Sequence, residues 1–108
     1  MKTKITERDL LRTIMDYLDI QEARGMLWYF RAGAGQVKLQ NGGFMRLAKA
    51  GTPDIIVCLK GGLWLGLEAK VGKNIQNDSQ KAVQRQIEAL GGRYEVVRSL
   101  DDVMNLKY

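Results

Sequence analysis

Gly51-Thr52-Pro53-Asp54-Ile55-Ile56-Val57-Cys58-Leu59-Lys60-Gly61-Gly62-Leu63-Trp64-Leu65-Gly66-Leu67-Glu68-Ala69-Lys70 decides how this chain is built. Asp54 to Leu59 is a short apolar strand, Lys60-Gly61-Gly62 is turn chemistry, and Leu63 to Lys70 is a second apolar strand ending in charge. Acids and ammoniums are costly at the buried ends of strands unless they bind something or each other. Glu68 and Lys70 are two residues apart, so a strand points both to one face. Two carboxylates and an ammonium meeting at one spot suit a divalent cation and a phosphate.

Each member of that group also has an ordinary explanation. Asp54 follows Pro53 and could simply complete a turn. Glu68 with Lys70 could be an ion pair at a sheet edge. Gly66 shares their face, where the missing side chain implies either close approach of a ligand or a bulge.

Outward from this stretch, the order of elements is that of an α/β protein. Ile5 to about Asp19 spaces Leu10, Leu11, Ile14, Met15 and Leu18 as one apolar stripe of a helix, and Thr6 with Asp9 resembles a capping box. Glu7 lies beside the stripe, either as a favourable charge at the helix start or as a third carboxylate for the same cation. Met26 to Arg31 is β-prone, and its Trp28, Tyr29 and Phe30 are assigned to the core, with base stacking as the alternative. Val37 to Gln40 and Phe44 to Leu47 flank Asn41-Gly42-Gly43 as a hairpin. A second helix is expected from about Asp78 to Leu90, capped by Ser79 or Asp78 and ended by Gly91-Gly92. Gln80 shares its inner face with Val83 and Ile87, and Gln84 competes for the same role. Arg93 to Arg98 is a further strand, and Ser99 to Asp102 starts a short last helix. The expected architecture is a mixed β-sheet flanked by helices, in one domain spanning 1–108.

Composition excludes several chemistries. The chain has no histidine and one cysteine, Cys58, so a zinc site of the usual kind, a histidine base, a Ser-His-Asp triad and an internal disulfide are all ruled out. Oxygen donors remain, and these suit Mg2+ or Mn2+. A net charge of +5 favours a polyanionic partner, and its distribution sharpens this. Residues 23–53 hold Arg24, Arg31, Lys38, Arg46 and Lys49 without a single acid. Arg31, Lys38, Arg46, Lys49 and, further on, Lys73 are the candidate nucleic-acid phosphate contacts, the alternative being a solvated surface that happens to be basic. No apolar run approaches the roughly 20 residues of a membrane span, and the first residues lack a signal-peptide core, so a cytoplasmic protein is expected.

Glu7, Gly51-Thr52-Pro53-Asp54, Glu68-Ala69-Lys70 and Gln80, with Gly91-Gly92 and Val96-Val97-Arg98-Ser99 downstream, resemble the VRR-NUC (virus-type replication-repair nuclease) domain of the PD-(D/E)xK nuclease superfamily. The similarity runs from the first helix to the last. One departure is Leu11, where family members often carry glutamine. The resemblance implies a restriction-endonuclease-like α-β-β-β-α-β core and a metal-dependent endonuclease acting on branched DNA such as four-way (Holliday) junctions. It also implies products with 5′-phosphate ends and a homodimer of phage or bacterial type. By this resemblance Glu7, Asp54, Glu68 and the Ala69 carbonyl are the metal ligands, and Asp54, Glu68, Lys70 and Gln80 are catalytic. The alternatives are a nuclease of this fold acting on linear duplex, flap or single-stranded DNA, and a nucleic-acid-binding module without turnover.

Overall fold

The computed structural model describes residues 4–33 and 35–107, with the backbone alone at Arg46. Its elements run α1 (Glu7–Ala23), β1 (Leu27–Arg31), β2 (Gln36–Lys38), β3 (Phe44–Arg46), β4 (Ile55–Leu59), a 3-10 turn (Lys60–Gly62), β5 (Trp64–Ala69), α2 (Asp78–Ala89), β6 (Arg93–Val97) and α3 (Leu100–Met104). Four strands form one sheet in the order β1-β4-β5-β6. The first two pairings are antiparallel and β5–β6 is parallel, so the sheet is mixed, as expected. The tight Lys60–Gly62 turn, with Gly61 at φ 84°, returns β4 antiparallel to β5, whereas α2 supplies the longer crossover that a parallel β5–β6 pair requires.

Helix α1 forms as its stripe dictates. Thr6 accepts from the Asp9 N–H at 3.1 Å, and Asp9 reaches back to the Thr6 N–H, closing the capping box. The helix runs four residues beyond the expected Asp19, through Ile20-Gln21-Glu22-Ala23, and stops before Gly25 at φ 72°. Its Leu10, Leu11, Ile14 and Leu18 pack on the inner face of the sheet. That face is made by alternate residues: Ile55, Val57 and Leu59 of β4, and Leu65, Leu67 and Ala69 of β5. Val103 of α3 joins the same core, so the Leu100–Leu106 tail docks at least partly on its own sheet, leaving Met104 exposed.

The opposite, outer face carries Ile56 and Cys58 of β4, and Trp64, Gly66 and Glu68 of β5. Helix α2 covers only its β5–β6 half. Gln84 donates to the Tyr94 carbonyl at 3.4 Å, and Gly92 lies under Ile87 and Trp64 with no room for a Cβ. Over β1 and β4 this face is open. Trp28 is therefore 58% exposed and Phe30 43%, which corrects their assignment to the core; Tyr29, between them, turns inward toward α1.

Strands β2 and β3 are shorter than expected and pair only with each other, as a hairpin standing apart from the main sheet. Gly66 also departs from expectation. The β4–β5–β6 register is continuous through it, so there is no bulge. The space belongs to Pro53, whose Cγ would lie 2.5 Å from an added Cβ. The missing side chain seats the residue that precedes Asp54. No helix among the described residues is long and apolar enough to cross a membrane.

Candidate metal centre

Three elements deliver carboxylates to one end of the sheet. Glu7 begins α1, Asp54 immediately precedes β4, and Glu68 is the penultimate residue of β5. One oxygen from each lies within 4.8 Å of the others. The β4–β5 register explains the meeting of Asp54 and Glu68. Ile55 pairs antiparallel with Leu67, so the residue before the one, Asp54, and the residue after the other, Glu68, fall side by side on the outer face. Glu7 reaches them because the α1 stripe fixes its first turn over the end of the strands.

Asp54 is held by its surroundings. Its Oδ2 accepts the Ala69 N–H at 2.9 Å, and its Oδ1 lies 3.4 Å from Arg31 Nη1. The same guanidinium donates to the Asp54 carbonyl at 2.8 Å. Upstream, Gly51 (φ 89°) lies against the Ser79 carbonyl at the start of α2, a place that no side chain could share. The Tyr94 hydroxyl donates to the Gly51 carbonyl at 3.4 Å. Burial, then the charge of Glu68, pushes the Tyr94 hydroxyl well above the usual phenol range, so it stays a donor. Sequence reasoning missed Tyr94; its only sequence signal is an aromatic ring with a polar tip set between the charged Arg93 and Glu95 of β6.

Glu68 is 2% exposed, and it is the one buried charged residue among those described. Its carboxyl is pushed up to about 8. Burial is the largest cause, followed by the charge of Asp54 and a hydrogen bond with it; Lys70 opposes the shift. Lys70 Nζ lies 3.4 Å from Glu68 Oε2. The Glu68–Lys70 ion pair foreseen as the ordinary explanation is thus present, and it coexists with the acidic cluster rather than replacing it.

This donor set fits a hard divalent cation. Three carboxylates converge, Lys70 and the partly exposed Arg31 each pair with one of them, and one carboxylate is buried enough to retain its proton near neutrality. A cation would displace that proton and relieve the repulsion. Ala69 touches the cluster through its N–H, which orients Asp54.

The two amides are engaged elsewhere. The cap of α2 is Asn77, not Ser79 or Asp78, and Gln80 closes the capping box by accepting from the Asn77 N–H at 3.0 Å. Asn77-x-x-Gln80 was a signal available in the sequence. Gln84 accepts from Gln76 at 2.8 Å and donates to β6. Of the basic residues, Arg31 reaches the cluster, while Lys38, Lys49 and Lys73 are exposed. Lys73 lines a cleft with Lys4, Ile5 and Arg98. The side chain of Arg46 lies outside the described residues.

No family model matches the chain, and no curated protein matches it. A solved structure described as a VRR_NUC domain does. The two superpose with a TM-score of 0.59 at 19% identity, covering 89% of this chain and 95% of the other. The four-stranded mixed sheet between helices is compatible with a restriction-endonuclease-like fold. The resemblance carried by Glu7, Asp54, Glu68 and Lys70 and the likeness in backbone converge, and the chain has the fold of a VRR_NUC domain.

Proposed function

We propose that residues 1–108 form one nuclease unit, a metal-dependent endonuclease that hydrolyses phosphodiester bonds in branched DNA such as four-way junctions. The observation that carries this is the meeting of Glu7, Asp54 and Glu68 within 4.8 Å, with the Lys70 ammonium 3.4 Å from Glu68. The VRR_NUC likeness supports the same class of chemistry.

Glu7, Asp54 and Glu68, with the Ala69 carbonyl, would hold Mg2+ or Mn2+. When bound, such an ion supplies Lewis acidity, making water a better nucleophile and offsetting charge on the phosphate. The chain's own groups do the rest. Glu68 must lose its proton to act as a ligand, and Lys70 offsets part of the cost of that ionisation. The Lys70 ammonium also donates to the attacking water or to a phosphate oxygen as its charge grows. Arg31, fixed by the Asp54 carbonyl, offers a second cation to the scissile phosphate. Water forms the new O–P bond, the P–O3′ bond breaks, and the 3′-oxygen leaves with a proton, giving a 5′-phosphate end. Gln80 and Gln84, bound to the α2 cap and to β6, are left outside this chemistry.

Lys38, Lys49 and Lys73 would contact flanking phosphates, with Arg46 as a further candidate; each contact would weaken with salt. Cutting opposed strands of a junction calls for two copies related by symmetry, so the working unit is proposed to be a homodimer in the cytoplasm of a bacterial or phage-infected cell. The test is a panel of linear duplex, flap, single-stranded and four-way DNA incubated with Mg2+, Mn2+ or chelator. Metal-dependent cleavage strongest on the four-way substrate is expected. Cleavage confined to another substrate would move the specificity, and tight binding without cleavage under any metal would overturn the enzyme.

A further inference from the structure

We infer that Trp28 and Phe30 form a base-stacking platform for bases left unstacked or unpaired at the branch point next to the cut. This rests on the nuclease reading of the carboxylate cluster and deepens it. Strand β1 lies at the edge of the sheet, and its outward residues share a face with Asp54 and Glu68. Phe30 pairs with Ile56, and the ladder continues through the Ala32 N–H to the Asp54 carbonyl at 2.8 Å. Phe30 therefore sits two residues from the level of Asp54, about 7 Å along the strand, and Trp28 about 13 Å. The two rings are tilted by 47° with centroids 5.7 Å apart. Inserting a base between them would need about 7 Å, twice the roughly 3.4 Å spacing of stacked nucleotides. They work instead as a single continuous floor.

Charge selects the occupant. Both rings belong to the acid-free segment 23–53 with its five cations, and the next residue along β1 is Arg31, bonded to the cluster. Aromatic faces leading to a phosphate-binding cation are what a polyanion with exposed bases requires. A duplex keeps its base faces stacked and cannot use them, whereas a single strand or the unpaired part of a branch can. A second copy of this chain fits less well. Rings of about 150–250 Å2 each, roughly half exposed, offer on the order of 200 Å2, against roughly 800 Å2 per partner in a stable interface.

The test uses a Trp64→Phe background, in which Trp28 is the only tryptophan. A short oligothymidylate in chelator should quench Trp28 emission more than a hairpin duplex of equal charge does. In cleavage assays with Mg2+, Trp28→Ala and Phe30→Ala should each raise KM for single-stranded or branched DNA about five-fold or more. The kcat and the KM for linear duplex should stay within two-fold, and Trp28→Phe should restore most of the loss. Thermal melts establish that each variant is folded. Unchanged KM with intact cleavage would overturn the platform and leave the nuclease standing. Quenching without any cleavage would do the reverse. If Trp28→Ala instead converts a dimer to a monomer in sedimentation while KM holds, the face belongs to a second copy.

Discussion

Replacing Glu68 with glutamine should make the metal-free protein more stable at pH 8 and leave it nearly unchanged at pH 4.5. The prediction follows from a carboxyl that is 2% exposed and held up at about 8, against 4.5 for the ordinary group. Between these two values the folded chain keeps a proton that the unfolded chain releases. The stability conferred by the protonated form is therefore complete below about pH 4.5 and is lost as pH rises through about 8. The slope is about 1.4 kcal/mol per pH unit, and the whole shift amounts to several kcal/mol, a large share of the roughly 5–15 kcal/mol of a typical domain. Glutamine keeps the neutral shape and removes the titration. Melts of both proteins in chelator across pH 4.5–8.5 would measure the difference, which should widen with pH by roughly 5 °C per unit. A divalent cation at about 100 times its Kd should then recover roughly 2.7 kcal/mol in the wild type and far less in Glu68→Gln. Parallel curves, or a variant less stable than wild type at pH 8, would refute the reasoning; the Lys70 ion pair would then outweigh burial and Asp54.

Three further outcomes follow from named contacts. Lys70→Ala should reduce cleavage at least a hundred-fold while leaving DNA affinity within a few-fold, measured by single-turnover kinetics beside filter binding. Gly66→Ala should cost about 1–3 kcal/mol in urea denaturation, because the new Cβ meets Pro53 Cγ at 2.5 Å; wild-type stability would mean that the Pro53 ring shifts freely. Gln80→Ala should cost about 1 kcal/mol through the lost capping box and leave kcat within two-fold; a ten-fold fall in kcat with an unchanged melt would return Gln80 to the catalytic group.

The features set by local chemistry could be read in advance. The Thr6–Asp9 box, the α1 stripe, the Lys60–Gly62 turn and the Gly91 helix stop each follow from a few neighbouring residues, and all are present. The approach of Asp54 to Glu68 was also implicit, because strand periodicity and a short turn leave little choice of register. What failed depended on contacts across the fold. Trp28 and Phe30 look like core residues until it is known that α2 stops short of β1 and β4. Gly66 suggested a ligand or a bulge because the Pro53 ring that fills its place comes from the neighbouring strand's approach, thirteen residues away. The cap of α2 was misread for a different reason: Asn77, rather than Ser79 or Asp78, starts the helix, and the box that engages Gln80 was overlooked.

Counting bound Mn2+ by electron paramagnetic resonance, on wild type and on Asp54→Asn, would probe the carboxylate cluster without any assumption about DNA. One saturable ion in the wild type, weakened at least ten-fold in the variant, is expected. Equal binding by the two proteins, or none by either, would show that Glu7, Asp54 and Glu68 do not act together on a cation.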